Sequence, residues 1–236
     1  MTPTPSEDDV KTIVASSSRY SPSNKPKLEA FLRAQATGNA AYSFEANRIL
    51  IKLYQFFPTI ATAEDKEKEL TSTALALILA LLQYPRTTDL LALRCLVPLR
   101  LKEQEPCASI LKCADLLDAC QFADFWAQWK ALETNTPSAI AVVPLGKHHA
   151  GLQTSICGVL ALTYRTASLK MVLAALDVSA GGELTGRPDL TPGLIESVDA
   201  SNVYFAPTSD NTKRDRVYKD VDFDSISTLM AKIAKE

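Results

Sequence analysis

The chain has 236 residues, of which 47% are hydrophobic and 22% charged, and its formal net charge is −2. This balance is typical of a soluble globular protein with one large domain or two small ones. A near-neutral charge gives no overall attraction to nucleic acid or to anionic lipid. The most apolar run, residues 73–82, has about half the length needed to cross a bilayer. We therefore expect no membrane segment, and the first ten residues lack the features of a secretory signal.

Cysteine and histidine usage argues against a metal site or a catalytic centre. The five cysteines form no C-x-x-C pair, and the two histidines, His148 and His149, are adjacent. Zinc sites of the usual spacing cannot be built from this set, and no glycine-rich phosphate-binding motif occurs. The sequence therefore predicts no enzyme activity, no metal and no cofactor. We expect the cysteines to be reduced, in cytosol or nucleus, and the two histidines to lie in a solvated loop.

The N-terminal half is predicted to be a disordered tail over residues 1–18 and a helical array over residues 19–134. Pro26 suits a first helical position, Gly38 suits a helix end, and Ser43 can cap the next helix. No stretch alternates with the period of two that marks a strand. Six helices joined by short connections indicate stacked antiparallel pairs. The predicted helical segments are residues 26–37, 45–57, 64–83, 89–97, 106–120 and 122–132.

The segment EANRILIKLYQFFP, residues 45–58, predicts a helix that neighbours cover on several sides. Its polar residues fall in an arc of roughly 80° at 100° per residue. The apolar remainder, which includes Phe56 and Phe57, is predicted to be covered. Asn47 lies within that apolar arc and, if buried, needs hydrogen-bond partners such as the backbone of a neighbouring loop. The narrow polar strip consists of Glu45, Arg48, Lys52 and Gln55.

A second aromatic segment recurs at helical spacing near the end of the array. Its large side chains could form an exposed interface or a buried seam, and we favour the seam because most large aromatics are buried within their own chain. The residues are Phe122, Phe125, Trp126, Trp129 and Leu132.

The C-terminal half is predicted to be a linker over residues 135–150, a winged-helix domain over 151–222 and a terminal helix over 223–236. Three helices followed by a hairpin give the winged-helix order. The third predicted helix is Thr191–Val198, with residues 180–189 as a loop before it. The predicted hairpin strands are residues 202–207 and 216–221. The predicted fold class is thus mainly α, with one small β-hairpin.

Charge argues against a typical winged-helix contact with DNA through the third helix. That predicted helix has no Lys or Arg and carries Glu196, and residues 151–207 hold three basic against five acidic residues. The hairpin loop contains Lys213, Arg214 and Arg216, together with two aspartates. A weak RNA contact through this loop stays open beside the simpler interpretation of a solvated loop.

The terminal segment carries one apolar stripe. Five residues fall within an arc of roughly 120° on a helix, so the helix can dock on its own domain or in a groove of another protein. Both alternatives stay open from the sequence. The stripe consists of Phe223, Ile226, Leu229, Met230 and Ile233.

Four stretches together resemble a known family, the K subunit of eukaryotic translation initiation factor 3. They are RYSPSNKPKLEAFL (19–32), EANRILIKLYQFFP (45–58), LLDACQFADFWAQW (116–129) and VDFDSISTLM (221–230). The resemblance runs from about Arg19 to Met230. The tail before Arg19, the 135–150 region and the 179–189 loop depart from the family pattern.

The resemblance implies a HEAT-like array of helix pairs followed by a winged helix, a relative of the PCI scaffolds. It also implies a cytoplasmic, non-catalytic subunit whose partners are the other subunits of the factor, especially the L subunit. Contact with the small ribosomal subunit would come through the complex. Two alternatives remain: a subunit of another PCI assembly, such as the proteasome lid or the COP9 signalosome, or a weak RNA-binding winged-helix protein.

Overall fold

A computed structural model describes residues 7–58, 62–135, 140–191 and 193–212, and residues 223, 226, 227, 230 and 233 of the terminal segment. The fold is mainly α with a small antiparallel sheet, as predicted. The helices of the first half are α1 Glu7–Ala15, α2 Lys25–Ala36, α3 Phe44–Phe56, α4 Ala63–Leu81, α5 Thr88–Leu96, α6 Leu99–Lys102, α7 Cys107–Asp118 and α8 Phe122–Thr134. The second half contains α9 His149–Thr163, β1 Thr166–Ser168, α10 Leu169–Leu176, α11 Gly181–Thr185, β2 Ile195–Val198 and β3 Asn202–Phe205.

Local sequence signals set the ends of the first helices. Gly38 has a φ of 77° after α2, a left-handed backbone that glycine adopts without a steric penalty. The Ser43 hydroxyl accepts a hydrogen bond from the Ala46 amide at 3.4 Å at the start of α3, and Thr62 accepts one from the Asp65 amide at 3.1 Å at the start of α4. The predicted starts and ends of α2 and α3 are therefore confirmed to within one or two residues.

The prediction of a disordered tail is wrong for residues 7–15, which form α1. Val10 is buried, and Ile13 and Val14 pack partly against the core. These three residues lie at i, i+3 and i+4, which gives the short helix an apolar side despite its acidic start. Helix α1 contacts α2 and α3 through this side.

Helix α4 lies at the centre of the array. Its second half, Ala74–Leu81, is buried throughout, because α2, α5 and α7 pack around it. Helix α7 packs in turn on α8. The five large apolar residues of α8, from Phe122 to Leu132, are all buried, which confirms the predicted core seam.

The prediction for α3 is confirmed in the middle of the helix and wrong at its end. Seven of its residues are buried, but Phe56 is 57% and Phe57 46% exposed. On a helical wheel Phe56 lies only about 20° from Glu45, at the border of the polar strip. Phe57 caps the helix with a non-helical φ of −128° and ψ of 69°, so it leaves the helical phase that placed it in the apolar arc.

The second half has the winged-helix order of elements, α9–β1–α10–α11–β2–β3. The sheet order is β1-β3-β2, with both pairings antiparallel. Strand β3 lies in the middle and buries Val203 and Phe205 on one face. This strand is the first of the two that the sequence predicts.

The predicted third helix and its hairpin partner need correction. The third helix is α11, Gly181–Thr185, within the predicted loop, and Ile195–Val198 is strand β2 rather than the end of a helix. Pairing with β3 determines this outcome, since Val198 lies opposite Val203 and the buried Ile195 opposite Phe205. The predicted strand at residues 216–221 lies outside the described residues.

Candidate partner-binding surfaces

Four of the five residues of the predicted terminal stripe are described, and all four are helical and exposed. Phe223 is 80%, Ile226 47%, Met230 64% and Ile233 63% exposed. Leu229 lies outside the described residues. The four side chains present to solvent the kind of apolar stripe that a groove on another protein can bind.

The winged helix presents no basic surface on its third helix. Helix α11 carries Glu183 and no Lys or Arg. Arg165 pairs with Glu196 at 2.6 Å and Arg187 with Asp189 at 2.5 Å. Two of the three basic side chains in residues 151–207 therefore pair with a carboxylate of the same region. The predicted RNA-contact residues Lys213, Arg214 and Arg216 lie outside the described residues.

Arg187 anchors the segment after α11 to α9. Its guanidinium donates to the carbonyl of Ala150 and to the hydroxyl of Thr154, both at 3.1 Å, and also to Gln153. Hydrogen bonds from Arg187 and Thr154 hold the pKa of the Asp189 carboxyl well below its usual range. A guanidinium engaged on so many sides has a structural role.

Polar contacts from the array hold the end of α10. The indole Nε1 of Trp126 on α8 donates to the carbonyl of Ala175 at 2.9 Å, and Lys130 on the same helix lies 2.6 Å from Asp177. From α9, Gln153 donates to the carbonyl of Leu176 at 2.7 Å. The two contacts from α8 fix the orientation of the winged helix against the array, and the contact from α9 holds α10 within the winged helix.

The two histidines do not lie in a solvated loop, so that prediction is wrong. His148 ends the 3-10 helix Leu145–His148, and His149 begins α9. The His149 ring lies 5.0 Å from the Trp126 ring, and its Nε2 lies 3.3 Å from a carboxylate oxygen of Glu133. Burial lowers the pKa of His148. Both histidines thus belong to the packed region between the array and the winged helix.

The five cysteines form no disulfide, and within the described chain they form no metal-binding group. All five are free, and burial raises the pKa of Cys107, Cys113 and Cys157 to about 12. Among the residues that the structure describes, no group of three or more His, Cys, Asp or Glu side chains could hold a metal ion. None of the helices in this described part of the chain combines the length and the hydropathy of a membrane-spanning segment.

Sequence reasoning missed one surface of the array, which lies beside the exposed end of α3. The Tyr20 ring meets the Phe56 ring edge to face, with centroids 6.0 Å apart. Two cations lie over the Tyr20 ring, the Arg19 guanidinium at 5.3 Å and the Lys52 ammonium at 5.5 Å. We call these four residues the aromatic–cation surface. The position of Phe56 next to Lys52 on the helical wheel was the signal that could have revealed it.

The elements together define a class of protein, a helical array followed by a winged helix and an exposed apolar terminal stripe. No family model matches the chain. A search of curated proteins finds relatives named "Eukaryotic translation initiation factor 3 subunit K". The Xenopus laevis protein is 31% identical over 218 residues, covering 90% of each chain. The Homo sapiens protein is 28% identical over 213 residues, also with 90% of each covered. The Dictyostelium discoideum protein is 28% identical over 226 residues, 96% of this chain and 83% of its own.

The chain therefore belongs to the family of eukaryotic translation initiation factor 3 subunit K, as its four matching stretches predicted. Its fold agrees with the array and winged helix that the resemblance implied.

Proposed function

We propose that this chain is a non-catalytic scaffold subunit of the translation initiation factor 3 complex and acts in translation initiation on the small ribosomal subunit. The observation that carries the proposal is the relationship to subunit K proteins over 90% of both chains. A relationship of this extent covers the array and the winged helix together. The chain's contribution is to present helix surfaces to other subunits, with the L subunit as its nearest partner.

The terminal stripe is the surface through which we infer that the chain joins the complex. Its support is the exposure of Phe223, Met230 and Ile233, each more than 60% accessible. An exposed apolar helix face gains free energy when a partner's groove removes it from water. Leu229 completes the stripe in the sequence. Docking in a groove of another subunit would give a role to an apolar stripe that keeps its helical phase over about three turns of this sequence.

Affinity purification of the tagged chain from its own cells tests the assembly. The eluate is treated with nuclease, and co-eluting proteins are identified by mass spectrometry. Factor 3 subunits led by the L subunit are the expected result. Recovery of proteasome-lid or signalosome subunits instead would be consistent with the fold but would contradict the proposed role in the factor 3 complex. A partner lost on nuclease treatment would contradict the protein-scaffold proposal and favour RNA contact through Lys213, Arg214 and Arg216.

Truncation after Asp222 tests the terminal stripe. We expect the truncated chain to keep the helical content of the array and to lose co-purifying subunits. A full-length variant with Phe223→Asp and Met230→Asp should reproduce the loss. The control is Leu99→Asp on α6, which alters an apolar side chain that is 70% exposed and should leave assembly intact. Normal incorporation of the truncated chain would exclude the stripe as the docking surface.

A further inference from the structure

The aromatic–cation surface combines exposed aromatic area with uncompensated positive charge. In the part of the chain that the structure describes, neither Arg19 nor Lys52 makes an ion pair with a carboxylate, whereas Arg48 on the same helix pairs with Glu45 at 2.6 Å. Phe56 is 57% exposed, and the next residue, Phe57, is also 46% exposed. Only four aromatic side chains among the described residues are exposed, and two of them, Phe56 and Phe57, are adjacent in the chain. Phe56 beside two cations that make no ion pair therefore forms a distinct surface.

The geometry gives this surface two binding functions at once. The two cations lie over the Tyr20 ring, which in turn contacts the Phe56 ring. Because the Tyr20 ring carries no net charge, both cations keep their full positive charge. A bound carboxylate can pair with Arg19 or Lys52 while an apolar side chain packs on the Phe56 face. Such a ligand carries acidic and large apolar residues within one short segment.

We propose that the aromatic–cation surface binds an acidic, apolar segment of a protein partner. Charge complementarity selects the acidic residues, and contact with Phe56 and Tyr20 selects the apolar ones. A single strand of RNA fits less well, because such ligands follow a basic groove past several phosphates. The exposed strip of α3 instead places Glu45 beside Arg48. The surface uses array residues and none from the terminal stripe, so this proposal stands or falls separately from the proposed assembly.

Fluorescence anisotropy with the purified full-length chain tests the chemistry directly. The probe is a labelled peptide in which Glu alternates with Leu and Phe. One comparison probe is the same peptide with Lys in place of Glu, and the other is labelled oligo(U). We expect saturable binding of the acidic peptide that weakens as salt rises. Phe56→Ala should weaken it by about tenfold, and Arg19→Gln with Lys52→Gln by about fivefold.

Two matched variants control for loss of exposed apolar or basic side chains elsewhere on the array. They are Leu91→Ala on α5, which alters a side chain that is 58% exposed, and Lys66→Gln on α4, at an exposed position. Both should bind the acidic peptide as the unaltered chain does. Equal binding by all variants, absence of saturable binding, or tighter binding of oligo(U) or the basic peptide would overturn the proposal.

Photo-crosslinking identifies the natural ligand class in cells. The crosslinker p-benzoylphenylalanine replaces Phe57, and a second chain carries it in place of Leu99 as the control. Crosslinks from position 57 alone to protein segments rich in Asp, Glu and large apolar residues support the proposal. Crosslinks to RNA, to a second copy of this chain, or to the same segments as the control overturn it. If the chain joins no factor 3 complex but binds the acidic peptide, the proposed function is wrong, whereas the proposed binding by the aromatic–cation surface is retained.

Discussion

The side-chain amides of Gln35 and Asn47 face each other inside the array and exchange two hydrogen bonds. Gln35 donates to the Asn47 oxygen at 2.9 Å, and Asn47 donates back at 3.2 Å. The Gln35 oxygen also accepts from the backbone amide of Ser43 at 2.9 Å. Since Gln35 lies near the end of α2 and Ser43 caps α3, this buried pair locks the connection between the two helices.

Replacing Asn47 with alanine should destabilise the fold by about 1–3 kcal/mol, because the buried amide of Gln35 would lose its partner. Urea denaturation followed by circular dichroism measures the change in the free energy of unfolding. Gln55→Ala is the matched control, since Gln55 is an exposed amide on the same helix, and its effect should stay within about 0.5 kcal/mol. Equal effects of the two variants would show that the amide pair contributes nothing specific.

The two tryptophans of α8 offer a matched comparison of an indole with and without a hydrogen bond. Trp126→Phe removes the donor to the Ala175 carbonyl and should cost about 1–3 kcal/mol more than Trp129→Phe. The Nε1 of Trp129 is buried with no hydrogen-bond partner among the described residues, so its replacement loses only ring contacts. Thermal and urea unfolding of both variants measure the difference. A larger loss for Trp129→Phe would contradict the assigned role of Trp126.

The Glu69 carboxylate depends on one partly exposed arginine. Its side chain is completely buried, and Arg100, which is 45% exposed, reaches it at 2.6 Å. Arg100→Met should destabilise the fold by about 1–3 kcal/mol because a buried charge loses its partner. Adding Glu69→Met should recover part of the loss, which is measured as a coupling in a double-mutant cycle.

The exposed pair of Arg94 and Asp115 serves as the control for that prediction. Their side chains are 35% and 55% exposed, so Arg94→Met should cost less than about 1 kcal/mol. If Arg94→Met and Arg100→Met lower the free energy of unfolding by the same amount, the burial of Glu69 does not explain the effect of Arg100→Met.

Thiol labelling should separate the five cysteines into two classes. Burial raises the pKa of Cys107, Cys113 and Cys157 to about 12, and a raised thiol pKa leaves almost no reactive thiolate at pH 8. Cys95 and Cys120 are exposed. We expect Ellman's reagent at pH 8 to modify two thiols rapidly in the folded chain and all five in denaturant. Cys95→Ser with Cys120→Ser should abolish the rapid phase. A rapid phase that survives in this variant would refute the assignment.

Local signals explain why the first half of the fold was predictable. Pro26, Gly38 and Ser43 act on backbone geometry within one turn of where they stand, so the helices they bound could be placed from the sequence. The buried seam of α8 was predictable for a similar reason, because a helix repeats every 3.6 residues whatever surrounds it. The same periodicity predicted the terminal stripe. Phe223 and Met230 are exposed, and docking through them stays a proposal.

Local signals could not predict features that depend on segments distant in the chain, namely the pairing of strands and the packing of helices against each other. Ile195–Val198 is a strand because β3 supplies its hydrogen-bonding partner, and α1 is ordered because α2 and α3 cover Val10.

By itself, then, the sequence determined the helical class, most helix boundaries in the array and the family to which the chain belongs, since each depends on residue type and spacing along the chain. Only the tertiary structure decided which apolar side chains stay in water. Leu99 and Leu101 are both leucines of the four-residue helix α6, yet Leu99 is exposed and Leu101 is buried. The difference depends on which neighbouring elements cover each side of α6, and coverage is a property of the packed array rather than of local sequence.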